Sequence, residues 1–487
     1  MSASRPRPSA PRAPAALLVR TLLAAALAAA GPSRAELPVP PLSRAATRLA
    51  EYVRIDTSNP PGREKAGTLF LKAVLDEAGI PSETHETAPG RPSLYARLRG
   101  TTGAPGLLLH HHVDVVPAGG AGWDRPPFAG ERNGYRLVGR GTLDDKSLGV
   151  AQLEAFLAVA ALGKPPARDL VLLASVDEEA GGLAGLGRLA RERPEWFRGI
   201  GDAIGEGGTV EVVVDRARWF GVETAQKGAL WLRLSAAGKG GHAAVPDGGN
   251  PAERIVAALA RVTAFASALP LRLTPEAETG FAARTRVPRK TPAPTVAALR
   301  EALRTDPARL RGSLPPPDLA LLSDTVALTR LGSDAAGPNA IARSAFAELD
   351  CRLLPGTDPR DFLARLRAAV ADRAVGVEVL LDAPGGPATS GGELLDRIAS
   401  AMSARHPGVV VGGELGAGLS ENRVLRSLGI RTYGLTPFRV NYYDQAGIHG
   451  VNEQIRVDWF DEGVEVLKGI VVGHATAPSP PPPPRAR

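Results

Sequence analysis

The sequence predicts an α/β fold, a mixed and mainly parallel sheet interrupted by a smaller inserted α+β domain, and three observations predict it. Short apolar, β-branched runs such as "PGLLLHHHVDVVP" and "ARDLVLLASVDEE" read as buried strands. Between them "SLGVAQLEAFLAVAALG" has helical spacing, which makes a strand–helix–strand unit and hence a parallel sheet. From about Lys227 the texture changes to alternating runs, "GALWLRLSAAG" and later "AFAELDCRLLPG", that suit half-exposed antiparallel strands. At 487 residues the chain also exceeds the usual size of a single core.

In chain order, arginines come first, then an apolar Ala/Leu stretch from about Thr21 to Ala30, then Ser33-Arg34-Ala35 with small residues at the two positions a signal peptidase reads. Residues 1–35 are therefore expected to be a signal peptide cleaved after Ala35, with the rest exported to the periplasm or the exterior. The apolar run is too short to span a bilayer, and no later segment approaches that length. Residues 36–227 are expected to form the first part of the main domain, opening with helices in "ATRLAEYVRI" and "AGTLFLKAVLDEAGI", the second stopped by a glycine. Residues 228–384 are expected to be the insertion, with a helix in "NPAERIVAALARVTAFASAL" between its strands. Residues 385–476 complete the main domain from the helix "GGELLDRIASAMSAR" onward, and 477–487, "APSPPPPPRAR", is a proline-rich tail expected to be disordered.

Composition narrows the function classes. The net charge of +7 comes from scattered arginines with no long basic run and little aromatic interleaving, so a nucleic-acid partner is not expected. The one cysteine, Cys351, excludes an intrachain disulfide and a thiolate metal cluster, and its strand-like setting suits a buried, inert thiol.

The candidate chemistry starts at "LLLHHHVDVVP", where three of the eight histidines are consecutive. In a strand, His110, His112 and Asp114 share one face and His111 takes the other. An aspartate two residues from a histidine on the same face can accept the imidazole's second N–H and orient the ring for a metal. Acidic and imidazole groups recur in matching places: Asp144 and Asp145 in "GRGTLDDKSLG", Asp177, Glu178 and Glu179 in "LLASVDEEAGG", Glu206 in "DAIGEGG", and His449 in "GIHGVNE". Each acidic cluster taken singly also fits a solvated turn or a helix N-cap. Together, two histidines, a shared aspartate and two glutamates suit two divalent ions per chain. Imidazole plus carboxylate favours Zn2+, with Co2+ or Mn2+ as alternatives.

These motifs, "HVDVVP", "GRGTLDDK", "DEEAGG", "GEGG", "KGALWLRLSAAGKGGHAAVP", "NPAERI", "LDCRLLPG" and "IHGVNE", resemble in order those of the co-catalytic zinc metallopeptidases of the aminoacylase and carboxypeptidase S group. Acetylornithine deacetylase, succinyl-diaminopimelate desuccinylase and glutamate carboxypeptidase are relatives. The resemblance runs from about Ala45 to Leu467, and the long segment between Pro270 and Leu331 leans towards the carboxypeptidase S and N-acyl-amino-acid hydrolase branch. It implies a zinc-peptidase-like catalytic domain with an inserted dimerisation, or lid, domain, and a homodimer through that insertion. Asp144 would bridge the two ions, Glu179 and His449 would complete one ligand set, and His112 and Glu206 the other. Asp114 would orient His112, and Glu178 would be the general base. In the insertion, His242 would stabilise the oxyanion across the dimer, and Asn339 and Arg352 would bind the substrate's oxyanion or carboxylate. Read without the resemblance, a surface-loop histidine is the favoured reading of His242 and a strand-edge salt bridge that of Arg352.

Two departures from the family pattern stand out. His111 occupies a position that is glycine or serine in many relatives, which makes it, with His110, an expected bystander able to compete for metal. The family's Thr-Asp-Ser-Arg segment reads Ser420-Glu421-Asn422-Arg423 here, which is expected to reshape the substrate pocket. The implied activity is hydrolysis of an amide next to a free carboxylate, in a small peptide or an N-acyl amino acid. The alternatives are a dedicated deacetylase or desuccinylase, which the export signal disfavours, and a non-catalytic peptide-binding relative, which the presence of Glu178 and Asp144 disfavours.

Overall fold

The structure, a computed structural model, describes residues 40–246, 248–289 and 293–478. The expected signal peptide, and all but the first two residues of the expected tail, lie outside them. Among the described residues no helix is long and apolar enough to cross a membrane.

The larger sheet has nine strands. Their spatial order is Ser82–Ala88, Arg91–Leu98, Leu170–Ser175, Gly106–His112, Ile200–Gly205, Arg431–Gly434, Arg216–Gln226 and Val410–Gly416, with Val210–Val213 paired to Arg216–Gln226. Its middle is parallel: Gly106–His112 lies between Leu170–Ser175 and Ile200–Gly205, and Arg431–Gly434 follows in the same direction. Antiparallel pairs occupy the flanks, as in Ser82–Ala88 with Arg91–Leu98. Every residue of Gly106–His112 and Leu170–Ser175 is buried. That is why neither alternates: Leu170–Ser175 reads as a near-continuous apolar run, and in Gly106–His112 three leucines give way to histidines that are buried as well.

The helix Lys146–Ala160 crosses between those two strands and is buried almost all round, with the long helix Val457–Thr476 packed over it. Leu109, Leu148, Phe156, Leu172 and Phe460 share the core beneath. Gly149 lets this helix approach the sheet, since a Cβ there would sit 2.6 Å from the His111 ring.

A second, four-stranded antiparallel sheet has the order Thr325–Ser333, Ser344–Leu353, Gly228–Ala237, Val375–Ala383. The helices Pro251–Ser267 and Pro359–Val370 cover one face, closing a core of Leu232, Leu234, Ile255, Phe362 and Leu366. Strand Ser344–Leu353 alternates as its sequence does, with Ala345, Ala347, Leu349, Cys351 and Leu353 inward. Burial pushes the Cys351 thiol up to about 12, which keeps it protonated and inert.

One segment departs from a self-contained insertion. The helices Pro275–Arg284 and Val296–Thr305 lie between these strands in sequence, yet Ala277, Phe281 and Leu299 pack with Ala225 and Leu415 of the larger sheet. Arg284 reaches the buried Glu414 of that sheet at 3.1 Å. The apolar period of a helix shows that one face is buried but not which sheet buries it.

Candidate metal centre

The parallel strands end at one edge, the usual location of ligands in open α/β sheets. Gly106–His112 ends in His112, Leu170–Ser175 runs on to Glu178 and Glu179, and Ile200–Gly205 delivers Glu206. Asp144 arrives from the turn before the helix Lys146–Ala160, and His449 from the loop after Tyr442–Gln445. Two of these turns need left-handed backbone at residues other than glycine, Asp177 at φ 72° and His449 at φ 60°. Such conformations persist where the surroundings over-determine them. Asp177 is held by Arg91 at 2.8 Å, by the Asn59 amide at 3.1 Å and by the Ala184 N–H at 2.7 Å.

Two clusters result, and they share one residue. His112, Asp144 and Glu206 place one ligand atom each within 4.8 Å of one another, and so do Asp144, Glu179 and His449. His112 Nε2 lies 3.1 Å from Asp144 Oδ1 and 3.3 Å from Glu206 Oε2. His449 Nε2 lies 3.1 Å from Asp144 Oδ2 and 3.3 Å from Glu179 Oε2. The two oxygens of Asp144 thus face different imidazoles.

The orienting contact for His112 differs in detail from the expectation. Its Nδ1–H donates to the main-chain carbonyl of Asp114 at 2.9 Å, while the Asp114 carboxylate is 3.6 Å away. The strand ends at His112, so the same-face argument no longer governs Asp114. That carboxylate instead accepts the N–H groups of Glu178 at 3.2 Å and Glu179 at 3.0 Å, and the Asn59 amide at 2.9 Å. Asp114 therefore fixes the loop that presents the two glutamates.

Burial and crowding of like charge dominate the electrostatics. Burial, then the Glu206 charge, raises the Glu178 carboxyl well above its usual range. Burial and the neighbouring Asp144 push Glu179 up to about 7. Burial opposes ionisation of Asp144 too, but hydrogen bonds from His112 and His449 outweigh it and hold its carboxyl low. His449 is pushed up to about 10 by its hydrogen bonds to Asp144 and Glu179. The donor set demands positive charge, which two divalent cations would satisfy.

The other expected residues are placed differently. His242 is exposed, accepts the Ala244 N–H at its Nδ1 (3.1 Å), and belongs to neither cluster. It pairs with Ala340 in a two-residue ladder, which puts Asn339, also exposed, beside it. Arg352 forms a bidentate pair with Asp350, with Nε at 2.8 Å from Oδ1 and Nη2 at 2.8 Å from Oδ2.

The bystander histidines are built in elsewhere. His111 Nδ1 meets Gln152 at 3.1 Å on the opposite face, and burial pushes its ring down to about 3. His110 Nε2 meets Ser175 Oγ at 2.8 Å and lies 3.3 Å from Glu421. Glu421 is buried, where it accepts from Ser175 and from the Leu186 N–H. Asn422 donates to the Glu206 carbonyl at 2.6 Å. A Cβ on Gly205 would collide with the Asn422 amide, so the glycine admits this prop. The Ser420–Arg423 segment thus supports the centre from beneath through Glu421 and Asn422.

One residue was missed. The buried Glu453 accepts from Arg140 at 2.7 Å and from the N–H groups of Gly141 (3.0 Å), Leu143 (2.7 Å) and Asp144 (3.1 Å). Arg140 in turn donates to the Gly450 carbonyl at 2.9 Å. This carboxylate ties the Asp144 turn to the His449 loop. The signal was the glutamate four residues after the histidine in "HGVNE".

The chain is similar to known proteins along most of its length. The profile described as Peptidase family M20/M25/M40 matches residues 108–472. Aminoacylase-1 of Mus musculus is 24% identical over 445 residues, 89% of this chain and 96% of its own length. Succinyl-diaminopimelate desuccinylase of Xanthobacter autotrophicus is 33% identical over 204 residues, 41% of this chain and 49% of its own. The M20 family metallo-carboxypeptidase Sso-CP2 from Sulfolobus solfataricus superimposes with a TM-score of 0.69 at 19% identity, covering 88% of this chain and 99% of that one. Human carnosine dipeptidase 1 gives 0.67 at 16%, covering 89% and 97%. At these identities the structural likeness is one of fold.

Proposed function

Because the chain belongs to peptidase family M20/M25/M40, a family of hydrolases acting on amide or peptide bonds, we propose that it is an exported two-metal enzyme cleaving such a bond next to a free carboxylate. Its substrates on this reading are small peptides or N-acyl amino acids. The observation that carries the reading is Asp144, whose two oxygens each lie 3.1 Å from a different imidazole with a glutamate beside each. Two imidazoles and three carboxylates, arranged as two sets sharing one aspartate, fit a pair of divalent ions, with Zn2+ preferred and Co2+ or Mn2+ compatible.

His112 and Glu206 would hold one ion and Glu179 and His449 the other, with Asp144 available to both. When bound, the ions supply Lewis acidity that acidifies the attacking water and polarises the scissile carbonyl. Glu178 takes a proton from that water and returns it to the departing amine. Asp114 keeps Glu178 and Glu179 in place through their N–H groups and aligns His112 through its carbonyl. Arg352 and Asn339 bind the substrate's carboxylate or oxyanion. Asp350 holds one edge of the Arg352 guanidinium, and its buried Nη1 has no protein partner. His242 is a donor for the oxyanion, reaching it from a second copy of the chain. We read residues 228–384 as the lid and dimerisation domain. Its edge strand Thr325–Ser333 exposes Leu328 and Leu331, a surface suited to a homodimer.

The test is release of free amino acid by the zinc-loaded chain from Glu36 onward, on dipeptides, N-acyl amino acids and small N-acetyl or N-succinyl amines, with Glu178→Gln alongside. Turnover abolished in the variant is the expected result. Turnover on no compound class with two ions bound per chain overturns the reading.

A further inference from the structure

We propose that the acyl half of the substrate is a medium-length apolar chain, held in the cavity that opens beside Asp144 and Glu206. This inference rests on the hydrolase reading above and specifies its substrate.

The cavity measures about 340 Å³. At about 30 Å³ for each water-sized group, it takes roughly ten non-hydrogen atoms, far more than an acetyl group. Asp144, Asp145 and Glu206 stand in its wall, which makes it continuous with the metal centre. Leu148, Val210, Leu435, Phe438, Val440 and Ile448 supply the apolar lining.

The uncharged polar side chains in the wall each already commit a hydrogen to the protein. Thr436 Oγ1 donates to the Gly207 carbonyl at 3.0 Å, Gln445 Nε2 to the Val210 carbonyl at 2.9 Å, and Thr209 Oγ1 to Glu414 at 2.9 Å. Most of what remains facing the cavity is hydrocarbon.

The same wall decides which half of the substrate enters. Among its described lining residues there is no arginine, lysine or histidine. A free carboxylate placed here would find no guanidinium or ammonium partner, and Arg352 and Asn339, assigned to it above, are not part of this lining. The amino-acid half carries that carboxylate and must lie elsewhere. The group on the other side of the scissile bond, the acyl chain, is the one whose chemistry matches the lining.

The test uses the full zinc-loaded chain on N-acyl-alanines of rising acyl length. Each buried methylene is worth about three- to fourfold in kcat/KM, so acetyl to octanoyl should gain at least about a hundredfold, then level off once the cavity is full. Val210→Phe fills part of the cavity and should lower the octanoyl-to-acetyl ratio at least about tenfold. Ratios within one preparation do not depend on how much of it is folded. A flat response to acyl length, or a ratio unmoved in Val210→Phe, overturns the proposal.

Calorimetric binding of the same series to Glu178→Gln separates the two readings. Binding that tightens with length while the wild type turns nothing over keeps the cavity assignment and removes the hydrolase reading. Turnover with neither rate nor binding responding to length does the reverse.

Discussion

The metal centre and the His242 region present the same kinds of side chain in opposite conditions. At the centre the functional groups are braced: His112 by a carbonyl, Glu178 and Glu179 by the N–H groups Asp114 accepts, Glu206 through Asn422, Asp144 through Glu453, and His449, itself exposed, against Asp144 and Glu179. His242 and Asn339 are exposed on a two-residue ladder and belong to neither cluster. One region is complete within a single chain. The other has its chemistry ready but needs something brought to it, either substrate or a second copy. Preorganisation therefore belongs to the sheet edge and adaptability to the insertion.

Four measurements break or sharpen that contrast. Glu178→Gln acts at the braced region and should lower kcat by about a thousandfold or more, with two metal ions per chain retained by elemental analysis. Retained turnover would assign the base elsewhere.

His242→Ala acts at the unbraced region and should cost about a hundredfold to a thousandfold in kcat with metal content unchanged. If the histidine serves a partner's site, mixing His242→Ala and Glu178→Gln chains should restore about a quarter of wild-type turnover, since half the dimers are mixed and each has one complete site. No recovery on mixing would place His242 in its own chain's site.

Glu453→Gln keeps the shape and removes the charge that gathers four donors, so metal affinity measured against a competing chelator should fall about ten- to a hundredfold. The Glu453→Gln protein should be rescued by excess zinc, and His242→Ala should not.

The last effect is on stability and involves none of the metal-centre residues. Burial and the Arg168 charge push His474 down to about 4. The unfolded chain then binds its proton more readily, so stability present above about pH 6.5 is lost as pH falls towards 4, by roughly 2–3 kcal/mol. Denaturation midpoints at pH 7 and 4.5 measure this, and His474→Gln should flatten the slope. That slope sets the acidic limit below which a rate profile no longer reports the metal centre alone.

The same contrast explains what was legible. A period of two within a fully buried strand separates His111 from His112 without any structure, and the ends of apolar runs place Glu178, Glu179 and Glu206 at one edge. Asp114 meets His112 through its carbonyl and not its carboxylate, because alternation stops with the strand and says nothing of the main chain beyond it. Glu453 and Asn422 act through contacts with residues far away in sequence, Asp144 and Glu206, and no local pattern encodes such a meeting. The helix Pro275–Arg284 shows the same limit, since amphipathicity left its partner sheet open.

Strand Arg431–Gly434 sits mid-sheet, between Ile200–Gly205 and Arg216–Gln226, although it is made late. During synthesis His112, Asp144, Glu178, Glu179 and Glu206 all emerge while this place in the sheet is still a gap. His449 and Glu453 follow later still. The strands that lead to Glu178 and Glu179, His112 and Glu206, namely Leu170–Ser175, Gly106–His112 and Ile200–Gly205, are neighbours on one side of that gap, and loop closure over more than two hundred residues must precede the joining of this half-sheet to Arg216–Gln226. Only the second ligand set, Asp144, Glu179 and His449, waits for the C-terminal segment. A chain cut before residue 431 would keep His112, Asp144 and Glu206 about one half-sheet, yet lack His449 and the strand that joins that half to the other.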